Sequence, residues 1–128
     1  VGMTESFEVE ITENMMDKFI DITGDVSPIH VSREYAVEHG FKTRVCHGML
    51  FGSMFSTMAG VHLPGEHCLL HSVETKFSSP VYPGDKLTVT AKISEINDTF
   101  KIATIKGNIK NQDGKTVCKA VYQAGVRE

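Results

Sequence analysis

Between Val45 and Gly65 the chain carries no aspartate, glutamate, lysine or arginine. The helical part of this stretch, residues 48–60, would be about 20 Å long at 1.5 Å per residue. That is too short for the ~30 Å of a bilayer's hydrocarbon core. His47, His62, Pro64, four glycines and two serines also interrupt the stretch. A helix that is apolar on most sides and cannot span a membrane has to be buried within a soluble fold. The remaining elements have to cover it.

The rest of the chain offers suitable partners. Residues 6–12 alternate, with Phe7, Val9 and Ile11 on one face and Glu8 and Glu10 on the other, as a strand does. Thr12 is placed to cap a helix with Glu13 in its first turn. That helix presents Met15, Phe19 and Ile22, flanked by Met16 and Ile20, and Gly24 is its expected stop. Pro28 disfavours helical backbone at Ser27, so residues 24–30 are expected as an extended loop. Ser32 and Glu34 open a short helix that ends near Gly40. Residues 41–47 form a connector, and residues 61–66 a loop after the apolar helix.

From His67 onward the pattern is that of strands: residues 67–79, 86–96, 100–110 and 115–126. Turns are expected at residues 80–85, at Asn97-Asp98 and at residues 111–114. One strand, helices, a buried helix and a four-strand meander make an α+β chain, with a segregated antiparallel sheet wrapped on the helix. Strands of this length joined by short turns imply strong curvature. Residues 1–128 read as one domain without repeats or low-complexity runs.

Composition narrows the function classes. A net charge of −3 and a pI near 6.1 disfavour a nucleic-acid binder held by phosphate contacts. Three cysteines without a CxxC pair disfavour a disulfide scaffold and fit a reducing cytoplasm. The N-terminus lacks the basic, apolar and small-residue order of a secretory signal. There is no GxSxG, no HExxH, no zinc-type Cys/His spacing, and no Walker or dinucleotide glycine motif. His62, His67 and His71 are loosely spaced, with the last two expected on one strand face; no metal site is expected.

Two segments can carry chemistry. In Asp25-Val26-Ser27-Pro28-Ile29-His30, a carboxylate and an imidazole lie five residues apart in a proline loop able to turn both toward one pocket. Such a pair can hold one water, one group accepting its proton while the other donates. The bland alternative is a turn-capping Asp25 and a His30 packed under Ile29. In Val45-Cys46-His47-Gly48-Met49-Leu50, Gly48 opens the apolar helix, where backbone N–H groups lack internal partners. Glycine lets a carbonyl approach them closely, where negative charge developing on oxygen is stabilised. Its alternative is a glycine that only relieves crowding. Gly52, Ser56 and Ala59 form a small-residue stripe that either leaves room for an acyl chain or lets another element pack closely. Lys42 and Arg44 are either carrier-phosphate ligands or solvated cations.

Taken together, these segments resemble the MaoC-like (R)-specific enoyl-CoA hydratase/dehydratase family. Thr23-Gly24-Asp25-Val26-Ser27-Pro28-Ile29-His30 resembles the family's (S/T)GDxNPxH signature. Val45-Cys46-His47-Gly48-Met49-Leu50 resembles its HGM(L) helix start. Phe77-Ser78-Ser79-Pro80-Val81-Tyr82-Pro83-Gly84-Asp85-Lys86-Leu87 resembles its strand-turn motif, a feature shared by many hot-dog domains. The resemblance implies a hot-dog fold, a curved sheet around a long central helix, assembled as a homodimer. It implies reversible syn hydration of a trans-2-enoyl thioester to the (R)-3-hydroxyacyl thioester. Asp25 and His30 would activate the water and the Gly48 N–H would hold the thioester oxygen. The substrate would be an acyl-CoA or acyl-carrier-protein thioester, with no metal or redox cofactor. Ser27, Gly52, Ser56 and Ala59 are candidate substrate contacts. One departure stands out: the family usually has asparagine where this chain has Ser27, whose hydroxyl has a shorter reach than an amide.

Overall fold

The computed structural model describes residues 1–127. The chain opens with β1 (Thr4–Glu10), followed by α1 (Glu13–Thr23), α2 (Pro28–Val31) and α3 (Arg33–Glu38). The apolar helical segment comes next as α4 (Gly48–Gly52), α5 (Met54–Thr57) and a π-helical turn (Met58–His62). Four strands complete it: β2 (Cys68–Phe77), β3 (Lys86–Asn97), β4 (Ile102–Lys110) and β5 (Thr116–Val126). No helix among the described residues is long and apolar enough to cross a membrane.

All five strands form one antiparallel sheet in the order β1-β3-β4-β5-β2. The expected four-strand meander is therefore only three strands long. β2 lies beside β5 at one edge, and the segment around Pro80–Asp85 carries the chain to the far side of the sheet, where β3 pairs with β1. Hydrophobic alternation marks strands and faces but carries no information on neighbours, which is why the order was not readable from it.

The covered helix is the centre of the core. Leu50, Phe51, Phe55, Met58 and Ala59 are buried against inward-facing Leu87, Val89, Ile105, Ile109, Val117 and Tyr122. Two features break its regularity. The Ser53 hydroxyl donates back to the Leu50 carbonyl at 2.5 Å, competing with the helical ladder where α4 ends. Farther along, Leu63 N–H donates to Met58 O across the π turn, so the helical path runs beyond Gly60 to His62. The expected single long α-helix is thus three short segments in sequence.

Local signals elsewhere are well obeyed. Thr12 Oγ1 accepts from Met15 N–H at 3.1 Å, and Gly24, at φ +70°, donates to Ile20 O. Ser32 caps α3 through Tyr35 N–H. One expectation fails on α1: Ile22 is 81% exposed, whereas Met16 is fully buried. Met16 lies in the core and Met15 and Phe19 pack against it, whereas Ile22 turns away. The β3–β4 turn is also longer than Asn97-Asp98 alone, taking in Phe100 and Lys101, the latter at φ +54°.

Gly107 on β4 shows how closely helix and sheet approach. A Cβ there would collide with the Phe55 ring and lie 3.2 Å from Thr90 O. Phe55 is itself fully buried and cannot swing out of the way without opening the core. Gly107→Ala is expected to cost about 1–3 kcal/mol of unfolding free energy, measurable by chemical denaturation. An unchanged midpoint would show that the helix–sheet spacing is slack.

Candidate active site

The site is built at the point where α1 ends and the apolar helix begins. Gly24 terminates α1 in the left-handed region and turns the chain so that Asp25 leaves the helix axis. Ser27 is extended, with ψ 134°, as the following proline demands. Pro28 then occupies the first position of α2, where its fixed φ and missing N–H are no handicap. His30 therefore sits in a short helix, not in the extended loop expected from the proline.

This geometry brings Asp25, His30 and His47 together: one donor atom from each lies within 4.8 Å of the others. The His30 ring stacks on the His47 ring, with centroids 3.9 Å apart and planes 23° from parallel. His30 Nδ1 lies 2.7 Å from the Val45 carbonyl, which can only accept, so Nδ1 carries the proton and Nε2 is the free end of the ring in its neutral form. His47 Nε2 donates in the same way to the Asp25 carbonyl at 3.1 Å. The Asp25 carboxylate accepts from Ser27 N–H at 3.2 Å. Bonding from the Ser27 side chain and amide holds Asp25 below the usual carboxylate range, with the nearby His30 and His47 adding to the effect. In this structure Ser27 supports the carboxylate.

His30 is also tied from below. Arg44 donates from Nε to the His30 carbonyl at 2.8 Å, and its guanidinium pairs with Asp17 at 2.8 Å and Glu13 at 3.4 Å. Its side chain is only 14% exposed. Arg44 is therefore a bridge between α1 and α2, neither a free phosphate ligand nor a solvated cation. Lys42 lies over the Tyr82 ring, its Nζ 5.8 Å from the centroid.

An open groove of about 450 Å³ runs past this cluster, lined by His30, Gly48, Phe51, Phe77 and Pro80 among others. Gly48 stands at its wall as the first residue of α4, where a helix's opening N–H has no intrahelical partner. Cys46 also lines the groove, but burial pushes its thiol up to about 12, which removes it as a nucleophile at neutral pH. The small-residue stripe lies elsewhere. The Phe77 ring covers Gly52, where a Cβ would meet it at 3.2 Å. Ser56 is exposed, and Ala59 is in the core. Gly52 and Ala59 are thus closely packed, while Ser56 faces solvent.

The remaining four histidines are dispersed. His39 stacks on Tyr35 at 4.0 Å, His62 stacks on Phe7 at 4.8 Å, His67 lies 3.6 Å from Glu66, and His71 sits in a β-bulge against Gly125. That bulge breaks the simple alternation that put His67 and His71 on one face. Among the described residues, the only gathering of three or more potential metal donors is Asp25, His30 and His47. Two of the four ring nitrogens in it are already committed to backbone carbonyls.

Sequence reading did not single out His47 as a site residue, although it stands beside Gly48 in the quoted motif. It is 1% exposed, its Nδ1 has no hydrogen-bond partner, and burial lowers its pKa from 6.5. Below pH about 6.5 the unfolded chain therefore takes up a proton that the folded chain refuses, and stability falls with pH down to the folded value. A loss of up to about 1.4 kcal/mol per pH unit is expected in that window. His47→Gln should flatten this slope in denaturation measurements between pH about 5 and 6.5; an unchanged slope would place the linkage on another group.

The chain is similar to known proteins in sequence and in fold. The chain matches the MaoC like domain family over residues 2–114. It is 35% identical over 96 residues to a 3-hydroxybutyryl-CoA dehydratase of Methylorubrum extorquens, a match covering 75% of this chain and 61% of that protein. It is 32% identical over 105 residues to an (R)-specific enoyl-CoA hydratase of Rhodospirillum rubrum, covering 82% of this chain and 73% of the relative. The crystal structure of R-hydratase PhaJ1 from Pseudomonas aeruginosa superposes with a TM-score of 0.93 at 29% identity, over 100% of this chain and 82% of that one. The fold is the hot-dog fold. With the family matched over nearly its whole length, the chain belongs to the MaoC-like domain family.

Proposed function

We propose that this chain is an (R)-specific hydratase, adding water reversibly to a trans-2-enoyl-CoA or carrier-protein thioester to give the (R)-3-hydroxyacyl thioester. The observation that carries this reading is the convergence of Asp25 and His30, with His30 and Gly48 on the walls of one groove. The names of the relatives, hydratases and dehydratases of acyl thioesters, support the same reaction class.

The chemistry follows from the protonation states. Asp25 is ionised at neutral pH and can only accept, so it orients a water by accepting a hydrogen bond from one of its hydrogens, which stays on the oxygen. His30, with Nδ1–H committed to Val45 O, accepts the other at Nε2 as the water oxygen bonds to C3 of the enoyl group. Electrons move onto the thioester oxygen, where the Gly48 N–H stabilises the charge. His30 then returns its proton to C2. Because one water is held on one face of the double bond, both new bonds form on that face, which is syn addition. Ionised Asp25 stabilises the transient imidazolium beside it.

Purified protein is expected to remove the enoyl absorbance of crotonyl-CoA and to form (R)-3-hydroxybutyryl-CoA, without loss of turnover after treatment with a metal chelator. Asp25→Asn and His30→Ala should each lower kcat by roughly 10²–10⁴-fold in folded protein. Near-normal turnover in both would refute the assignment. Release of free thiol instead would indicate a thioesterase. Binding of enoyl thioesters of any chain length without turnover would indicate a non-catalytic binding dimer.

Assembly belongs to the same proposal. β2 is an edge strand paired only with β5, and Val73 and Phe77 on its inward side are 41% and 44% exposed. An open edge with apolar residues beside it is suited to pairing with a second copy. Sedimentation is expected to give twice the 14.1 kDa chain mass; a monomer at micromolar concentration would refute the dimer.

A further inference from the structure

His47 is the only buried histidine among the described residues, and the mechanism above assigns it no step. Packing alone does not account for it. A leucine or phenylalanine could fill an apolar position without leaving a nitrogen unpartnered, as Nδ1 is here. Its contacts are directed at the site. Its Nε2–H donates to the Asp25 carbonyl, the face of its ring lies on the His30 ring, and the Phe19 ring of α1 meets it at a tilt of 54°, centroids 4.9 Å apart. Its own carbonyl accepts from Leu50 N–H at 3.0 Å, fixing the first turn of α4 behind Gly48. One residue thus touches the backbone of the proposed water-orienting carboxylate, the ring of the proposed base, and the turn bearing the proposed oxyanion donor.

We propose that His47 is the positioning residue of the site, setting Asp25 through its Nε2–H and His30 through its ring face. This inference rests on the hydratase reading. Asp25 lies in a short loop between α1 and α2, and a ring bonded to its carbonyl restrains that loop from the core side. His30 is held at Nδ1 by Val45, and the stacked ring limits the tilt of its Nε2 end.

Three variants separate the two contacts. His47→Gln keeps an amide donor near the Nε2 position without the ring; His47→Phe keeps the ring without the donor; His47→Leu keeps neither. With crotonyl-CoA, kcat is expected to fall about 10- to 100-fold in the Gln and Phe variants and further in the Leu variant, as misplacements of the order of 1 Å do. KM should stay within about twofold, since none of these groups needs to touch the thioester. Unchanged kcat in folded Gln and Phe variants overturns the proposal, as does a loss that merely follows the folded fraction.

A second arm needs no activity and no variant. Nitrogen NMR of the wild-type imidazoles at neutral pH is expected to show His47 with its proton on Nε2, in a hydrogen bond; the Nδ1–H form would overturn the proposal. If the wild-type chain hydrates no enoyl thioester, the hydratase reading fails by itself. The inference is then judged on whether His47→Phe shifts the Asp25 and His30 resonances, and unshifted resonances would overturn it too.

Discussion

The structure depends on covering one short, uncharged helical segment. Burial of Leu50, Phe51, Phe55 and Met58 removes large apolar side chains from water, each contributing roughly 1.5–3 kcal/mol. The sheet curves around them, and Gly107 gives up its side chain so that Phe55 can seat against β4. Once this contact is made, the start of the helix has little freedom. Cys46 N–H is bonded to Val81 O and Val45 N–H to Ile29 O, so the chain entering α4 is pinned between the strand turn and α2.

That pinning places the polar cluster at the edge of an apolar core. His47 enters the core, while Asp25 and His30 stay partly exposed above it. The site is therefore asymmetric: one imidazole neutral and inaccessible, the other facing a groove, the carboxylate kept ionised by Ser27. Burial is the main reason that the His47 pKa lies below its ordinary value. Arg44 completes the frame from the opposite side, its charge balanced by Asp17 and Glu13 and its Nε used to fix the His30 carbonyl.

The presence of Ser27 at a position where the family usually has asparagine acquires a physical meaning in this frame. A serine amide and hydroxyl reach the Asp25 carboxylate from two residues away. The departure from the pattern thus leaves the carboxylate supported locally. Phe77 has a comparable effect on the groove. Its ring lies over Gly48 and Gly52, filling the volume that glycines free along the helix. The edge-on contact with Phe51, centroids 5.3 Å apart, holds that ring in place.

What the sequence by itself determined are features that act over a few residues. Thr12 and Ser32 cap, Gly24 stops α1, Ser27 is extended before Pro28, and β1 alternates half-buried Phe7 and Val9 with exposed Glu8 and Glu10 as read. Each is a steric or hydrogen-bonding preference of the local chain. The same locality made the Asp25 and His30 pair legible through its motif. Only the tertiary structure decided that β2 sits at the edge beside β5, that Ile22 turns to solvent, that Phe77 covers Gly52, and that Arg44 and His47 close around His30. Those outcomes join residues far apart in the chain. They are set by which faces meet when the apolar helix is buried, and no local preference encodes that.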